Sequence, residues 1–399
     1  MAVRTVLFTC LLMLLVSVSA EGEPPDIATV VSGNNAFALG LYRQLADESG
    51  NLIFSPCSVS IALAMTYEGA RGATAREMAT ALHLPADRQA LHSAHATLLS
   101  ALDREGIDIP YRLSLANRLW CQRDYGFLPS FLKTCREFYV SGVAELDFQT
   151  DPERARRIIN IWVAEQTEQK IQQLLLPGDI EMATALVLTN AIYFYGKWSH
   201  PFPVESTRLE RFHISATVEV DTPTMLQRGQ FAYADLPDVE VLQLPYAGEE
   251  LALVVLLPKE PDGLARLQES LDVLVMQEWL SALEEQEISV ALPKFALTWR
   301  RELRDALSAM GMPSAFTAKA DFSGMTSRED LWIQKVVHES RIEVNEEGTE
   351  AAASTAVVMK KSSMMFRLFR ADHPFIFLIR DLGYNSILFM GQLVNPQAD

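Results

Sequence analysis

The sequence predicts an α+β fold with large sheets, arranged as one domain, and three observations carry that expectation. Helical spacing of apolar residues dominates the first half of the chain and strand-like runs dominate the second, so the two element types are segregated. Residues 183–195 and 251–257 are almost continuously apolar and β-branched, the pattern of strands buried on both faces. No internal repeat and no low-complexity linker breaks the succession of patterns from about Asn34 to Pro396. The length of 399 residues would also allow two or three domains, and a composition of 49% hydrophobic and 21% charged residues is ordinary for a globular protein.

Taken in order, residues 1–20 stand apart. Arg4 gives a short positive start, residues 6–16 are almost entirely apolar, and Val18-Ser19-Ala20 sets small residues before the polar Glu21-Gly22-Glu23-Pro24. This is the pattern of a secretory signal peptide cut after Ala20. The apolar run is too short to span a bilayer well, and no other stretch is long and apolar enough, so no membrane role is expected. The remainder, 21–399, is expected to be a secreted, extracellular domain. Residues 27–46 and 58–82 read as amphipathic helices, with Pro56 near the second start where a helix N-terminus favours it. Residues 87–102 read as a further helix, 111–122 as a strand, and 129–139 and 152–169 return to helical spacing. Beyond residues 183–195 and 251–257, the latter stopped by Pro258, strands are expected at 287–292, 330–343, 374–380 and 386–394.

The formal charge of −17 repels phosphate backbones, which argues against a nucleic-acid partner and for solubility. Cys10 leaves with the leader, so Cys57, Cys121 and Cys135 remain, an odd number that builds no disulfide scaffold. Cys57 lies in an apolar helical run and reads as a small buried hydrophobe, whereas pairing of Cys121 with Cys135 stays open. There is no Asn-x-Ser/Thr sequon. No catalytic constellation is present: no Gly-x-Ser-x-Gly elbow, no His-Glu-x-x-His, no phosphate-binding loop and no Gly-x-Gly-x-x-Gly. His92 and His95 lack a clearly placed third ligand and read as a solvated helix face; His83 is separated from them by Pro85. Neither an enzyme nor a metal or other cofactor is expected.

The segment from Val344 to Val358 fits two conformations. Two acids and a glycine lead into small residues that suit an exposed loop. Read as a strand, Thr349, Ala351, Ala353, Thr355, Val357 and Met359 suit a buried face. Glu350, Ala352, Ser354, Ala356, Val358 and Lys360 suit a mostly solvated one. Such a segment points to a switch. Lys360-Lys361 follow it at the expected tip of a loop, where a trypsin-like protease would find them attractive.

Four motifs then resemble one family. Phe369-Arg370-Ala371-Asp372-His373-Pro374-Phe375-Ile376-Phe377-Leu378-Ile379 is similar to the C-terminal signature of the serpins. Asn51-Leu52-Ile53-Phe54-Ser55-Pro56 resembles the segment that opens their second helix, and Thr189-Asn190-Ala191-Ile192-Tyr193-Phe194-Tyr195-Gly196-Lys197-Trp198 the end of a central strand of their main sheet. Leu388-Phe389-Met390-Gly391-Gln392-Leu393-Val394-Asn395-Pro396 matches their usual ending, and order and spacing hold from about Ile27 to Pro396.

The resemblance implies a serpin fold: a large central sheet A, two smaller sheets, about nine helices, and an exposed reactive centre loop at about 346–369. It implies a suicide-substrate inhibitor of serine endopeptidases, whose cleaved loop inserts into sheet A while the protease is held as an acyl-enzyme. Glu346, Glu347, Gly348, Thr349, Glu350, Ala351, Ala352 and Ala353 match the hinge that enters first. Glycine there removes side-chain hindrance, and a small β-branched Thr349 is buried at little cost, whereas a charge would oppose entry. Ser55, Ser58, Asn190 and His338 match the shutter beneath the sheet centre, and Trp198 the breach where the loop enters. Counting the family's usual hinge length from Glu346 puts the reactive bond at Ser362–Ser363, suited to an elastase- or subtilisin-like protease. Lys361–Ser362 is the alternative, for a trypsin-like one. A covalent acyl complex with that protease is the expected partnership, and the free protein is expected to be a monomer. Heparin binding is not expected, because Arg88 and Arg104 are the only strong bases of the candidate helix and Asp87 and Asp103 sit beside them. The alternatives are a non-inhibitory serpin (carrier, chaperone or substrate) and a cross-class inhibitor of a papain-like cysteine protease.

Overall fold

The computed structural model describes residues 25–46, 50–102, 111–139, 142–328, 330–349 and 367–398. The chain opens with α1 (Pro25–Leu45), β1 (Leu52–Phe54), α2 (Pro56–Gly69), α3 (Gly72–Ala81), α4 (Arg88–Leu102), β2 (Tyr111–Gln122), α5 (Pro129–Phe138), β3 (Val143–Leu146) and α6 (Pro152–Gln166). The middle is strand-rich: β4 (Leu186–Lys197), β5 (Arg208–Ser215), β6 (Val218–Asp235), β7 (Val239–Pro245) and β8 (Leu251–Pro258). Next come α7 (Leu264–Ser270), α8 (Val273–Ser281), β9 (Glu284–Pro293), β10 (Phe295–Glu302) and α9 (Arg304–Ala309). The end of the chain carries β11 (Lys335–Val344), β12 (Gly348–Thr349), β13 (Arg367–Arg370), β14 (Phe375–Asp381) and β15 (Ile387–Leu393). Helices are concentrated early and strands late, as the apolar patterning predicts.

The strands form two ladders. A six-stranded sheet runs β10-β11-β12-β4-β2-β3, with β11 and β4 also paired directly and in parallel. The second ladder runs β1-β15-β14-β8-β7-β6-β9-β13, with β5 added on β6. The long β6 joins its two halves: its first part pairs β5, Thr224–Tyr233 pair β9, and its last residues, Ala232–Asp235, pair β7. The two smaller sheets of the expected fold are thus hydrogen-bonded to one another through a single strand.

The central helix α2 is buried at every position except Glu68, which is also its only charged residue. It lies against β2, β4 and β15, between the two ladders. The opposite face of the six-stranded sheet carries α6. There a separate core joins Ala116, Trp120, Phe148, Ile159, Val163, Leu174, Val187, Ala191 and Val337.

Two expectations need correction. The helix predicted over 58–82 is two helices, broken at Ala70–Arg71. Arg71 donates its amide to Asp321 and Gly324 donates to Gly69, so a distant loop is hydrogen-bonded into the corner. A Cβ on Gly69 would lie 1.9 Å from Met325 Cγ, so only glycine fits there. His92 and His95 do not form a solvated face, because both are buried. His92 bridges Tyr139 at 3.0 Å and Glu68 at 3.0 Å, joining α4 to α5 and α2, and burial pulls His95 down to about 3. Cys57 is buried as expected, and burial raises its thiol to about 12.

Candidate functional site at the seam of the six-stranded sheet

The three neighbouring strands β2, β4 and β11 carry polar residues on the face turned to α2: Asn117, Asn190 and His338, with Ser340 two residues beyond His338 donating to the Ile53 carbonyl at 2.7 Å. The register places the first three in a row, Asn117 opposite Asn190 and Asn190 opposite His338. Beneath the row lies the start of α2, where Ser55 caps the helix by accepting from the Ser58 amide at 3.2 Å. The Ser55 amide donates to His338 Nε2 at 3.1 Å, so Nε2 is an acceptor and the proton sits on Nδ1. His338 Nδ1 accordingly donates to Asn190 Oδ1. Asn190 Nδ2 donates to Ser58 Oγ at 2.8 Å and to Asn117 Oδ1 at 2.6 Å, and Asn117 Nδ2 donates to the Ser58 carbonyl at 3.1 Å. Ser55 Oγ donates to Leu388 at 2.6 Å. Every member is buried. Burial holds His338 down to about 3, so it stays neutral across physiological pH. Ser55, Ser58, Asn190 and His338 are therefore brought together in one network, which the parallel pairing of β4 with β11 crosses from Lys335↔Val187 to Arg341↔Tyr193.

At its upper end the same seam is built differently. β12 lies between the two strands, Thr349 facing Val344 on one side and Gly196 on the other. A tight turn returns the chain from β11: the Asn345 amide donates to the Gly348 carbonyl at 2.8 Å, and Asn345 Oδ1 accepts from the Glu347 amide at 3.1 Å. Gly348 has φ +154, and a Cβ there would sit 2.0 Å from the Gly196 carbonyl oxygen, so the position admits only glycine. Thr349 is fully buried, and its hydroxyl meets the Tyr246 hydroxyl at 2.9 Å. Trp198 stacks on Tyr246 with ring centres 4.7 Å apart. Its indole Nε1 donates to the Asn345 carbonyl at 2.9 Å and its amide to the Glu347 carbonyl at 2.8 Å. Glu346 is 7% exposed, with its carboxylate 2.7 Å from Lys294 Nζ and accepting from Thr207 Oγ1 at 2.8 Å. Those partners prevail over desolvation and hold the carboxyl below the usual range.

Glu346, Glu347, Gly348, Thr349 and Trp198 thus meet at one point. Glu350, Ala351, Ala352 and Ala353, the reactive-bond candidates Lys361, Ser362 and Ser363, and the leader lie outside the described residues. Arg88, one of the two bases weighed for polyanion binding, turns inward to the carbonyls of Tyr67, Glu68 and Ala70. Sequence reading missed Asn117 and Tyr246. Asn117 carries a visible signal, a polar side chain on the apolar face of the 111–122 strand; Tyr246 carries none, because an aromatic residue there reads as ordinary core.

Among the described residues no group of His, Cys, Asp or Glu is arranged to hold a metal, and no helix is long and apolar enough to cross a membrane. The family model for Serpin (serine protease inhibitor) matches residues 32–396. The leukocyte elastase inhibitor of Bos taurus is 41% identical over 376 residues, covering 92% of this chain and 99% of the relative. An uncharacterized serpin-like protein of Thermococcus kodakarensis is 43% identical, covering 92% of this chain and 86% of the relative. Among solved structures, uncleaved ovalbumin superposes with a TM-score of 0.84 at 30% identity, over 92% of this chain and 100% of the other. Human thyroxine-binding globulin superposes with a TM-score of 0.85 at 28% identity, over 94% and 100%.

Proposed function

The chain belongs to the serpin family, and from that premise we propose that it is a secreted suicide-substrate inhibitor of serine endopeptidases, residues 21–399 forming the working domain. The observation that carries this reading is Thr349, small, uncharged and already accommodated without exposure between β4 and β11. After Glu350, which falls on the solvated face, the chain is small from Ala351 through Ala356, so it can continue down the seam without steric conflict. The relatives named as elastase inhibitors support a protease partner, and the leader pattern of residues 1–20 supports secretion.

In this mechanism the protease serine Oγ attacks the carbonyl carbon of Ser362, or of Lys361 in the alternative register. The C–N bond to the next residue breaks, the new amine takes the proton relayed by the protease histidine, and an ester joins the two proteins. The freed hinge then advances between β4 and β11. Entry replaces the direct β4–β11 pairing with two new ladders, so the His338–Asn190 bond must give way. Ester hydrolysis is arrested when insertion outpaces deacylation. Glu346, Glu347, Gly348, Thr349 and Ala351 to Ala353 act as the hinge, with Glu350 on the solvated face. Ser55, Ser58, Asn190 and His338 act as the shutter, and Trp198 as the floor of the entry point.

The test is incubation of the mature protein with trypsin, elastase and subtilisin, followed by a denaturing gel and mass spectrometry. The expected result is an SDS-stable complex with at least one enzyme and a released peptide that begins at Ser363 or Ser362. Nicking by all three without a complex would overturn the inhibitor reading.

A further inference from the structure

On the face of the six-stranded sheet opposite the shutter, the connection from α6 to β4 (167–185) crosses the seam as a strap. One end is tied to the β2 side: Trp162 of α6 lies over the Arg118 guanidinium at 4.0 Å and against Trp120 at 5.3 Å. The other end is tied to the far side. Asp179 holds Arg300 of β10 at 2.5 Å and Lys335 of β11 at 2.7 Å, and the Leu174 carbonyl accepts from Arg300 Nε at 2.6 Å. β4 stands between these anchors. A strand added between β4 and β11 moves them apart by about 4.8 Å, one interstrand spacing. Bonds this short do not survive that shift, so the strap must let go of one side.

Directly under the strap, on β11, lies Glu339. It is 8% exposed, and among the described residues its carboxylate makes no hydrogen bond or ion pair. Its register partners are Arg300 on β10 and Ala191 on β4. The charged and titratable groups around it are Arg300 and Glu302 of β10, Lys335 and Arg341 of its own strand, Tyr193 of β4, and Asp179 and Lys170 of the strap. Arg300 is committed to Leu174 and Asp179; Glu302 accepts from the amides of Val336 and Arg304; Lys170 lies over the Tyr193 ring. A carboxylate with no bonded partner is thus enclosed at the joint that opening must break.

Building on the insertion mechanism proposed above, we propose that Glu339 positions the strap and sets how readily it releases, so that a charged Glu339 favours opening of the seam and a neutral one keeps it shut. Enclosing an unpaired carboxylate is costly, and lifting the strap lets water reach it. A charged Glu339 also competes with Asp179 for Arg300. Burial outweighs Arg300 and Arg341 and raises the Glu339 carboxyl from 4.5 to about 7. The closed sheet therefore holds a proton that the unfolded chain has already lost at 4.5. Its stability falls as pH rises through the window from 4.5 to 7, and the full penalty is present above it.

The experiment follows entry of a synthetic peptide copying residues 349–360 into the full-length mature protein from pH 5.5 to 8, with thermal unfolding over the same range. No protease is involved, so it is independent of whether one is trapped. The wild type is expected to take up the peptide about tenfold faster at pH 8 than at pH 5.5, about one power of ten of the available linkage. Its melting temperature is expected to fall over the same interval. Glu339→Gln, and Glu339→Leu should the amide fold poorly, are expected to give slow uptake and a melting temperature that no longer carries this fall. A variant that keeps the wild-type profile in both readouts, or a wild type that never admits the peptide, overturns the proposal. Peptide uptake with the expected pH rise but no trapped protease would remove the inhibitor reading and leave the role of Glu339 standing.

Discussion

The same two strands, β4 and β11, are joined in opposite ways at the two ends of their seam. At the middle they pair directly, and a row of polar side chains, Asn117, Asn190 and His338, ties the ladder to the start of α2. At the top they are held apart by β12, and the contacts are a glycine, a buried threonine and the stacked rings of Trp198 and Tyr246. Directional hydrogen bonds at the middle have one satisfactory arrangement and resist sliding. The top is shaped by close approach and aromatic contact, which a passing small side chain preserves. In the proposed insertion mechanism, opening therefore begins where the seam is already wedged, and its barrier lies where the polar row must exchange partners.

Breaking the top gives the largest expected effect. Thr349→Arg places a charge where the native residue is fully buried between β4 and β11. The variant is expected to be cut by its target protease at an unchanged rate while the yield of SDS-stable complex drops at least tenfold, measured as moles of inhibitor consumed per protease inactivated. Full trapping by this variant would remove the top of the seam from the account. Breaking the middle acts on stability instead. Asn190→Ala orphans His338 Nδ1 and one hydrogen bond each of Ser58 and Asn117, and is expected to cost about 3 kcal/mol in denaturant unfolding. Because His338 is neutral at and above pH 5, that loss is expected to be the same at pH 6 and pH 8. The smallest effect comes from Tyr246→Phe, which removes only the hydroxyl contact to Thr349. It is expected to cost about 1 kcal/mol and to leave the middle of the seam intact.

Legibility in the sequence follows the same division. The strand 111–122 is read to its ends because its first half alternates, its second half carries a short apolar run, and the non-strand Arg123-Asp124 follow it. The continuous apolar runs mark β4 and β8 because those strands are covered on both faces. β5 and β6 escape a periodic reading: much of their length is exposed, so hydrophobicity does not register their period. The break at Gly69–Gly72 depends on Met325 and Asp321, which are distant in sequence. The residues proposed as hinge and shutter are legible through family resemblance, not through periodicity. Asn117 shows in the sequence as a polar break in the apolar face of its strand, but its role shows only once that face is seen to pack on α2. The strap is invisible because Asp179, Arg300 and Lys335 are ordinary surface charges until the fold brings them together.

The central claim is that the chain beyond Thr349 can become a strand of the six-stranded sheet. The direct measurement is the melting temperature of the mature protein before and after its loop is nicked within 350–366 by a protease it does not trap. The account predicts a large rise on cleavage, with the two fragments remaining associated, because the freed hinge completes the ladder between β4 and β11. A cleaved protein that melts at or below the temperature of the intact one would contradict it.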